Sequence, residues 1–291
     1  QPTEQSDDAY LTAIDLAVKG GAKVIVFPGY LFEVPVYVAQ DRYPDVKFIL
    51  LDGEPHDADH TYRTNDNAVG ILYREDEAGF LAGYAAVKDG NRRLGFLGGM
   101  AVPSVVRFGY GFVEGAEYAA QELGLDAGAV SVHYNYTGAF AATPEAQALA
   151  ASWYNAGVEV IFACGGAVGN SVMAAAEQAD KKVIGVDVDQ SGESDTVITS
   201  AIKGIDASVY ACIAQYYEGK FPGGRTLTLA ADNDGVGLSM NASKFDAFIQ
   251  ADYDAIYAKL ASKSISLAEE LAENGSPSKL PVGIVEITEI D

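Results

Sequence analysis

Residues 158–189 read VEVIFACGGAVGNSVMAAAEQADKKVIGVDVD. Two uninterrupted apolar runs, VEVIFACGG and KKVIGVDVD, flank NSVMAAAEQAD, whose apolar residues recur at helical spacing. A short continuous run of Val, Ile and Phe suits a strand buried on both faces, and two such strands joined through a helix form a parallel pair. The second run leaves the apolar pattern abruptly, VIGV passing into Asp187, Val188, Asp189 and Gln190. Ligands of open α/β sheets bind beyond the carboxyl ends of the strands, so this one unit predicts a fold and a place to look for function.

The alternation extends in both directions. Upstream, DDAYLTAIDLAVKGG is a helix stopped by Gly-Gly, KVIVFPG a strand, VPVYVAQDRYPD a helix, and VKFILLDG and NAVGILY strands. REDEAGFLAGYAAVKDG follows as an amphipathic helix, then strand RRLGFLGG, helix VVRFGYGFVEGAEYAAQELG, strand AVSVHYNY and helix TPEAQALAASWYNAG. Downstream, TVITSAIKG precedes helix IDASVYACIAQYYEGKF, and RTLTLAADNDGVGLSM is extended and turn-rich. A long charged helical stretch from about 244 to 274 and a final strand in PVGIVEITEID close the chain. So many βα units exceed one compact sheet and predict two doubly wound lobes. No low-complexity linker divides them, as expected if the chain crosses between lobes several times.

The 291 residues are 49% apolar with a mean hydropathy of +0.06, enough to bury a sizeable core. A formal charge of −22 and a pI near 4.3 repel nucleic acid and anionic membrane, and the acid reads as a hydrated surface. No apolar run approaches the roughly 20 residues needed to span a bilayer, and no signal-peptide pattern opens the chain. Cys164 and Cys212 sit in apolar contexts without CxxC spacing and read as core thiols.

After the strands stand Gly29-Tyr30, Asp52-Gly53-Glu54, Gly98-Gly99-Met100, Tyr136-Thr137-Gly138, Gly165-Gly166 and Asp187 to Gln190. Carboxylates accept paired hydrogen bonds from sugar hydroxyls, aromatic rings stack on a flat ring, and glycines admit close backbone approach. A neutral polyhydroxylated ligand with a planar face suits this set better than a phosphate. No P-loop is present, and GGAVGN lacks the dinucleotide spacing and its acidic partner. HDADH places His56 and His60 four apart but lacks the Glu of a helical zinc motif, and reads as an exposed polar loop; DNDG lacks the closing Glu of a calcium loop and reads as a turn. No Ser, Cys or His stands in a nucleophile context, and no cofactor is called for. Phe140 and Phe108 each read as a stacking wall or as core; Lys203, ending an apolar run, reads equally as a surface ion pair or as a cation at a crossing.

Taken together, LGFLGGMAVPSVVRFGYGFVEGAEYA, YNYTGAF, VIFACGGAVGN, VIGVDVDQS, VITSAIKGIDASVY and GVGLSM resemble the basic membrane protein family, the purine nucleoside receptor-like substrate-binding lipoproteins of bacterial ABC importers. The resemblance runs from Gln1 to about Met240 with the motifs in order. It implies a type I periplasmic-binding fold: two Rossmann-like lobes, 1–70 with 203–230 and 71–202 with 231–291, joined by crossings near 65–71, 189–203 and 228–237 and closing on a ligand. It implies a receptor without chemistry that binds a nucleoside, guanosine, adenosine or inosine foremost, and delivers it to ABC permease subunits from the cell surface or periplasm. By motif position Asp187 takes the ribose hydroxyls with Lys203 nearby, Phe140 supplies a ring, and Asp52 contacts the base. Tyr30, Phe108, Gly165, Gly166, Val168, Asp189 and Gln190 complete the candidate site.

One departure stands out. The family opens with a strand and a loop ahead of the helix that here starts near Ser6, and carries a lipid-bearing cysteine; neither is in this sequence. The expectation is that this segment belongs to the molecule but not to this chain, and that loss of a central strand leaves its neighbours' ladder groups unpaired. Membrane association would then run only through an anchor outside this chain. Three other readings compete: a sugar or furanose-signal receptor of the same fold, the sensing domain of a regulator, and an enzyme using a nicotinamide cofactor.

Overall fold

A computed structural model describes residues 4–272 and 274–290, and the chain divides into two compact units, 1–73 with 204–229 and 74–203 with 230–291. In the first unit, α1 (Asp7–Lys19) is capped by Ser6, whose hydroxyl accepts the Ala9 N–H, with Asp7 and Asp8 at the positive end of the helix dipole. Gly21, at φ 92°, ends it. There follow β1 (Val24–Pro28), α2 (Glu33–Arg42), β2 (Lys47–Leu51) and β3 (Ala68–Tyr73). Phe27, Val36, Ala39, Phe48 and Leu50 form the core of this unit with Ile14.

The chain then builds the second unit: α3 (Glu75–Lys88), β4 (Arg93–Gly98), α4 (Pro103–Glu122), β5 (Val130–Tyr136), α5 (Pro144–Asn155), β6 (Val160–Cys164), α6 (Val168–Ala179), β7 (Lys182–Asp187) and β8 (Val197–Lys203). It returns to the first unit for α7 (Ile205–Tyr217) and β9 (Arg225–Leu229), and ends in the second with β10 (Val236–Leu238), α8 (Gln250–Ala261) and β11 (Val285–Glu289). Three passages between units, at 73/74, 203/204 and 229/230, follow from that division.

The first unit holds a four-stranded sheet, β1-β2-β3-β9, and the second a seven-stranded sheet, β10-β8-β7-β6-β4-β5-β11. Every pairing is parallel except β10 with β8. The central strand β6 is buried along its whole length, which is why its sequence carries no alternation. Both cysteines are buried, and no disulfide joins them.

Four expectations are corrected. No ladder groups are left open between β1 and β2, which pair directly from Val24↔Lys47 to Pro28↔Leu51. Helix α3 is not amphipathic, since every residue except Lys88 is buried. Its Gly79 and Gly83 face Gly111 and Gly115 of α4, and an added Cβ at any of the four would strike the facing helix's carbonyl oxygen: Phe108, Phe112, Asp76 or Phe80. With no side chain between them the helices press backbone to backbone, covering a face that sequence hydropathy leaves polar.

The charged stretch 244–274 is helical only over α8. Lys263, at φ 57°, ends the helix, and the next backbone donors find partners on α4: Glu114 accepts from Ala268 and the Tyr110 hydroxyl from Ala272. The loop 56–60 is not wholly exposed either. His56 is buried, with Nε2 3.2 Å from Glu33 Oε2.

Candidate functional site

In the second unit the carboxyl ends of β4, β6, β7 and β8 fall side by side, because these neighbouring strands are all parallel. Strand β7 ends on Asp187, whose backbone lies in the left-handed region at φ 67°. Asp tolerates this conformation better than most side chains, at a cost that persists only where surroundings enforce it. The turn lifts the side chain out of the sheet and leaves it 43% exposed, while Oδ1 itself is buried without an aligned hydrogen bond.

Behind Asp187 lies Lys203, 5% exposed, at the end of β8. Its Nζ is 3.1 Å from Asp187 Oδ1 and 3.6 Å from Glu75 Oε1, and 5.2 Å above the Phe108 ring. Arg107 of α4 holds the other Glu75 oxygen through Nε at 2.6 Å. The Lys203 and Glu75 side chains are shut from water and carry opposite charge, the condition under which charges are tolerated there, while Asp187 and Arg107 reach outward. Lys203 is therefore not a surface ion pair.

The turn after β7 is shaped by its own polar groups. Gln190 Oε1 accepts the Val186 N–H (2.9 Å) and its backbone N–H donates to Ser200 Oγ (3.0 Å), so this side chain folds back on β7 and β8 and does not reach the rim. Asp189 is exposed and accepts the Ser191 N–H, which lowers its pKa.

Beside this group, the loop after β5 is tied across the ends of β4 and β6. Thr137 and Gly138 donate to the Gly98 and Gly99 carbonyls, and the Phe140 carbonyl accepts from Ala167. The half-buried Phe140 ring lies on Gly99, where an added Cβ would come within 2.8 Å of ring atom Cε1. Gly165 packs as closely, an added Cβ meeting Gly99 Cα at 2.7 Å, and Gly166, at φ 55°, faces Phe140. These glycines are required by close approach of neighbouring loops.

Two candidates lie elsewhere than the rim. The Val168 side chain is fully buried in the cluster formed with Val172, Ile161 and Trp153, because α6 begins there and turns it inward. Phe108, 1% exposed, packs edge-on against Phe162 at 5.7 Å and supports Lys203 from below. Sequence reading missed Glu75 and Arg107. The available signal was REDE directly after a strand, an acidic run at the mouth of a helix with few other polar residues.

In the first unit, β2 ends at Leu51 and Asp52 follows at φ 55°, its N–H donating to Ile71 O. Tyr30 is half-buried in a 3-10 turn after β1, entered through Gly29 at φ 135°. Glu33 anchors the loop after Asp52, accepting from Glu54 N–H (2.9 Å) and facing His56; burial raises its pKa. Among the described residues no group of three or more His, Cys, Asp or Glu is disposed to hold a metal, and no helix is long and apolar enough to cross a membrane.

A parallel α/β sheet with a half-exposed carboxylate and an aromatic ring at its strand ends is suited to hold a small ligand beyond those ends. Residues 2–270 match the family model for ABC transporter substrate-binding proteins, PnrA-like, and the chain belongs to that family. It is similar to the ABC transporter nucleoside-binding protein BmpA of Lactococcus lactis, 30% identical over 88% of this chain and 76% of that one. Basic membrane protein D of Borreliella burgdorferi is 35% identical over 66% of this chain and 54% of its own length. The solved structure of an ABC transporter system solute-binding protein from Aeropyrum pernix superposes with a TM-score of 0.70 at 27% identity, covering 95% of this chain and 72% of that one. The fold is thus that of the ABC solute-binding proteins, and the family is one of binders, not enzymes.

Proposed function

We propose that the protein captures a purine nucleoside, guanosine, adenosine or inosine, outside the cytoplasm and delivers it to the permease of an ABC-type importer, held to the membrane by a lipid anchor. The observation that carries the reading is Asp187: a half-exposed carboxylate whose inner oxygen has no aligned donor although a buried ammonium lies 3.1 Å away. Ribose hydroxyls donate to such a group, and the half-buried Phe140 ring, packed on Gly99 at the adjacent strand ends, is offered as the surface for the base. Gly165, Gly166 and Asp189 border this surface, and Asp52 and Tyr30, at strand ends of the first unit, are offered as contacts to the base. The name of the Lactococcus relative supports a nucleoside over a free sugar. Calorimetric titration with guanosine, adenosine, inosine, cytidine and ribose tests the reading. Binding of ribose with no response to any nucleoside overturns it in favour of a sugar receptor.

A further inference from the structure

The loop between β5 and α5, residues 137–143, carries Phe140 and has no regular structure. It is tied down at three places. At its start, Thr137 and Gly138 donate to the Gly98 and Gly99 carbonyls at the end of β4. Midway, the Phe140 carbonyl accepts the Ala167 N–H where α6 begins. At its end stands Thr143, extended as a residue before proline prefers to be, with its own hydroxyl engaged in capping α5 through the Ala146 N–H.

The third tie differs in kind. Ser171, in the first turn of α6 and 5% exposed, accepts the Thr143 N–H and donates to the Thr143 carbonyl, each at 3.1 Å. A hydroxyl can do both at once. The other ties are made by backbone, whereas this one is a single buried side chain that serves both polar groups of one residue. Ala141 and Ala142, both exposed, separate Phe140 from it, so loosening at Thr143 passes to the ring within two residues. Beneath the ring there is little room: a Cβ on Gly99 would come within 2.8 Å of ring atom Cε1, and one on Gly166 would lie 3.5 Å from Phe140 Cβ.

We propose that Ser171 is a positioning residue for Phe140: by pinning Thr143 it holds the loop so that the ring stays seated on Gly99 in one orientation towards the ligand. This rests on the reading that Phe140 contacts the base. Ser171 is buried and its hydroxyl is engaged with Thr143, so it acts through the loop and not on the ligand. Stacking depends on the offset and tilt of the two rings, and a loop ordered before binding spares the entropy of ordering it.

The test is a cycle of wild type, Ser171→Ala, Phe140→Leu and the double variant, titrated calorimetrically with inosine. Ser171→Ala is expected to bind inosine about fivefold more weakly than wild type, as loss of one buried hydrogen-bonding group allows. In the Phe140→Leu background the same change should matter by less than about twofold, because no ring is left to place. Equal losses in both backgrounds, which a general loosening of the unit would give, or no loss in either, overturn the proposal. Fluorine NMR of the ligand-free protein carrying 4-fluorophenylalanine gives a second readout. The line missing from Phe140→Leu identifies the ring, and it is expected to shift or broaden in Ser171→Ala while the other phenylalanine lines stay in place. An unmoved Phe140 line, or movement of all lines together, overturns the proposal. Should Ser171→Ala not fold, Ser171→Cys, which keeps the shape with a weaker donor, carries both measurements. A wild type that binds no inosine removes the nucleoside reading alone, and the fluorine line then decides whether Ser171 places the ring.

Discussion

Asp52 and Asp187 stand at the carboxyl ends of parallel strands in different units, at φ 55° and 67°. Their supports differ. Asp187 is backed by a buried chain of charges, Lys203, Glu75 and Arg107, drawn from β8, α3 and α4. In the first unit Glu33 takes the Glu54 N–H of the loop after Asp52 and faces His56. The same turn thus presents a carboxylate backed by Lys203, Glu75 and Arg107 in one unit and a carboxylate followed by a loop that Glu33 clasps in the other. Left-handed aspartates at strand ends aim a side chain; what lies behind determines how firmly it is held.

The largest effect is expected from Lys203→Met. It leaves Asp187 and one Glu75 oxygen without their cation and should cost about 3 to 5 kcal/mol of stability, read from urea unfolding. A cost within experimental error would show that the charged chain does not distinguish the two units. Next comes Asp187→Ala, expected to weaken nucleoside binding by about 2 to 5 kcal/mol if two buried hydrogen bonds are lost. The matching Asp52→Ala should cost less, and calorimetry showing the reverse order would move the main ligand contact to the first unit.

Glu114 tests burial in the second unit away from the rim. Burial lifts its pKa from 4.5 to about 7 although it accepts the Ala268 N–H. The folded state therefore holds this proton more tightly than the unfolded chain, and stability falls as pH rises from about 4.5 through about 7. Glu114→Gln, which keeps an acceptor without the charge, should raise stability at pH 8 by about 1 to 2 kcal/mol once solvent screening is allowed for, and by little at pH 5. Denaturant midpoints at the two pH values check this; a gain independent of pH would mean that packing, not ionisation, governs the site.

Much of this was legible in the residues. The strands VKFILLDG, RRLGFLGG, VEVIFACGG and KKVIGVDVD appear as strands because a segment buried on both faces has no polar face to disguise it. Asp187 stood out by the rule that ligands gather at strand ends and Phe140 by its place in the YNYTGAF motif; the first ends β7 and the second lies in the loop after β5. Val168 was misread because proximity in sequence to Gly165 and Gly166 says nothing of which way a helix turns its first side chain. Residues 264–272 escaped because a helical pattern of apolar and charged residues is a local preference, and Glu114 and Tyr110 offered the backbone better partners from far along the chain.

Local chemistry, the period of apolar residues together with glycines and aspartates at strand ends, determined the α/β alternation, the parallel sheets and the rim where a ligand would be held. Only the tertiary structure decided that β1 pairs directly with β2, that α3 is buried on every side, and that Lys203 sits between Asp187 and Glu75 instead of in water. The reason is physical. Burial and the placing of a charge depend on groups distant in sequence arriving together, such as the Phe108 and Phe112 carbonyls against the α3 glycines or Arg107 against Glu75, and no window of neighbouring residues contains that information.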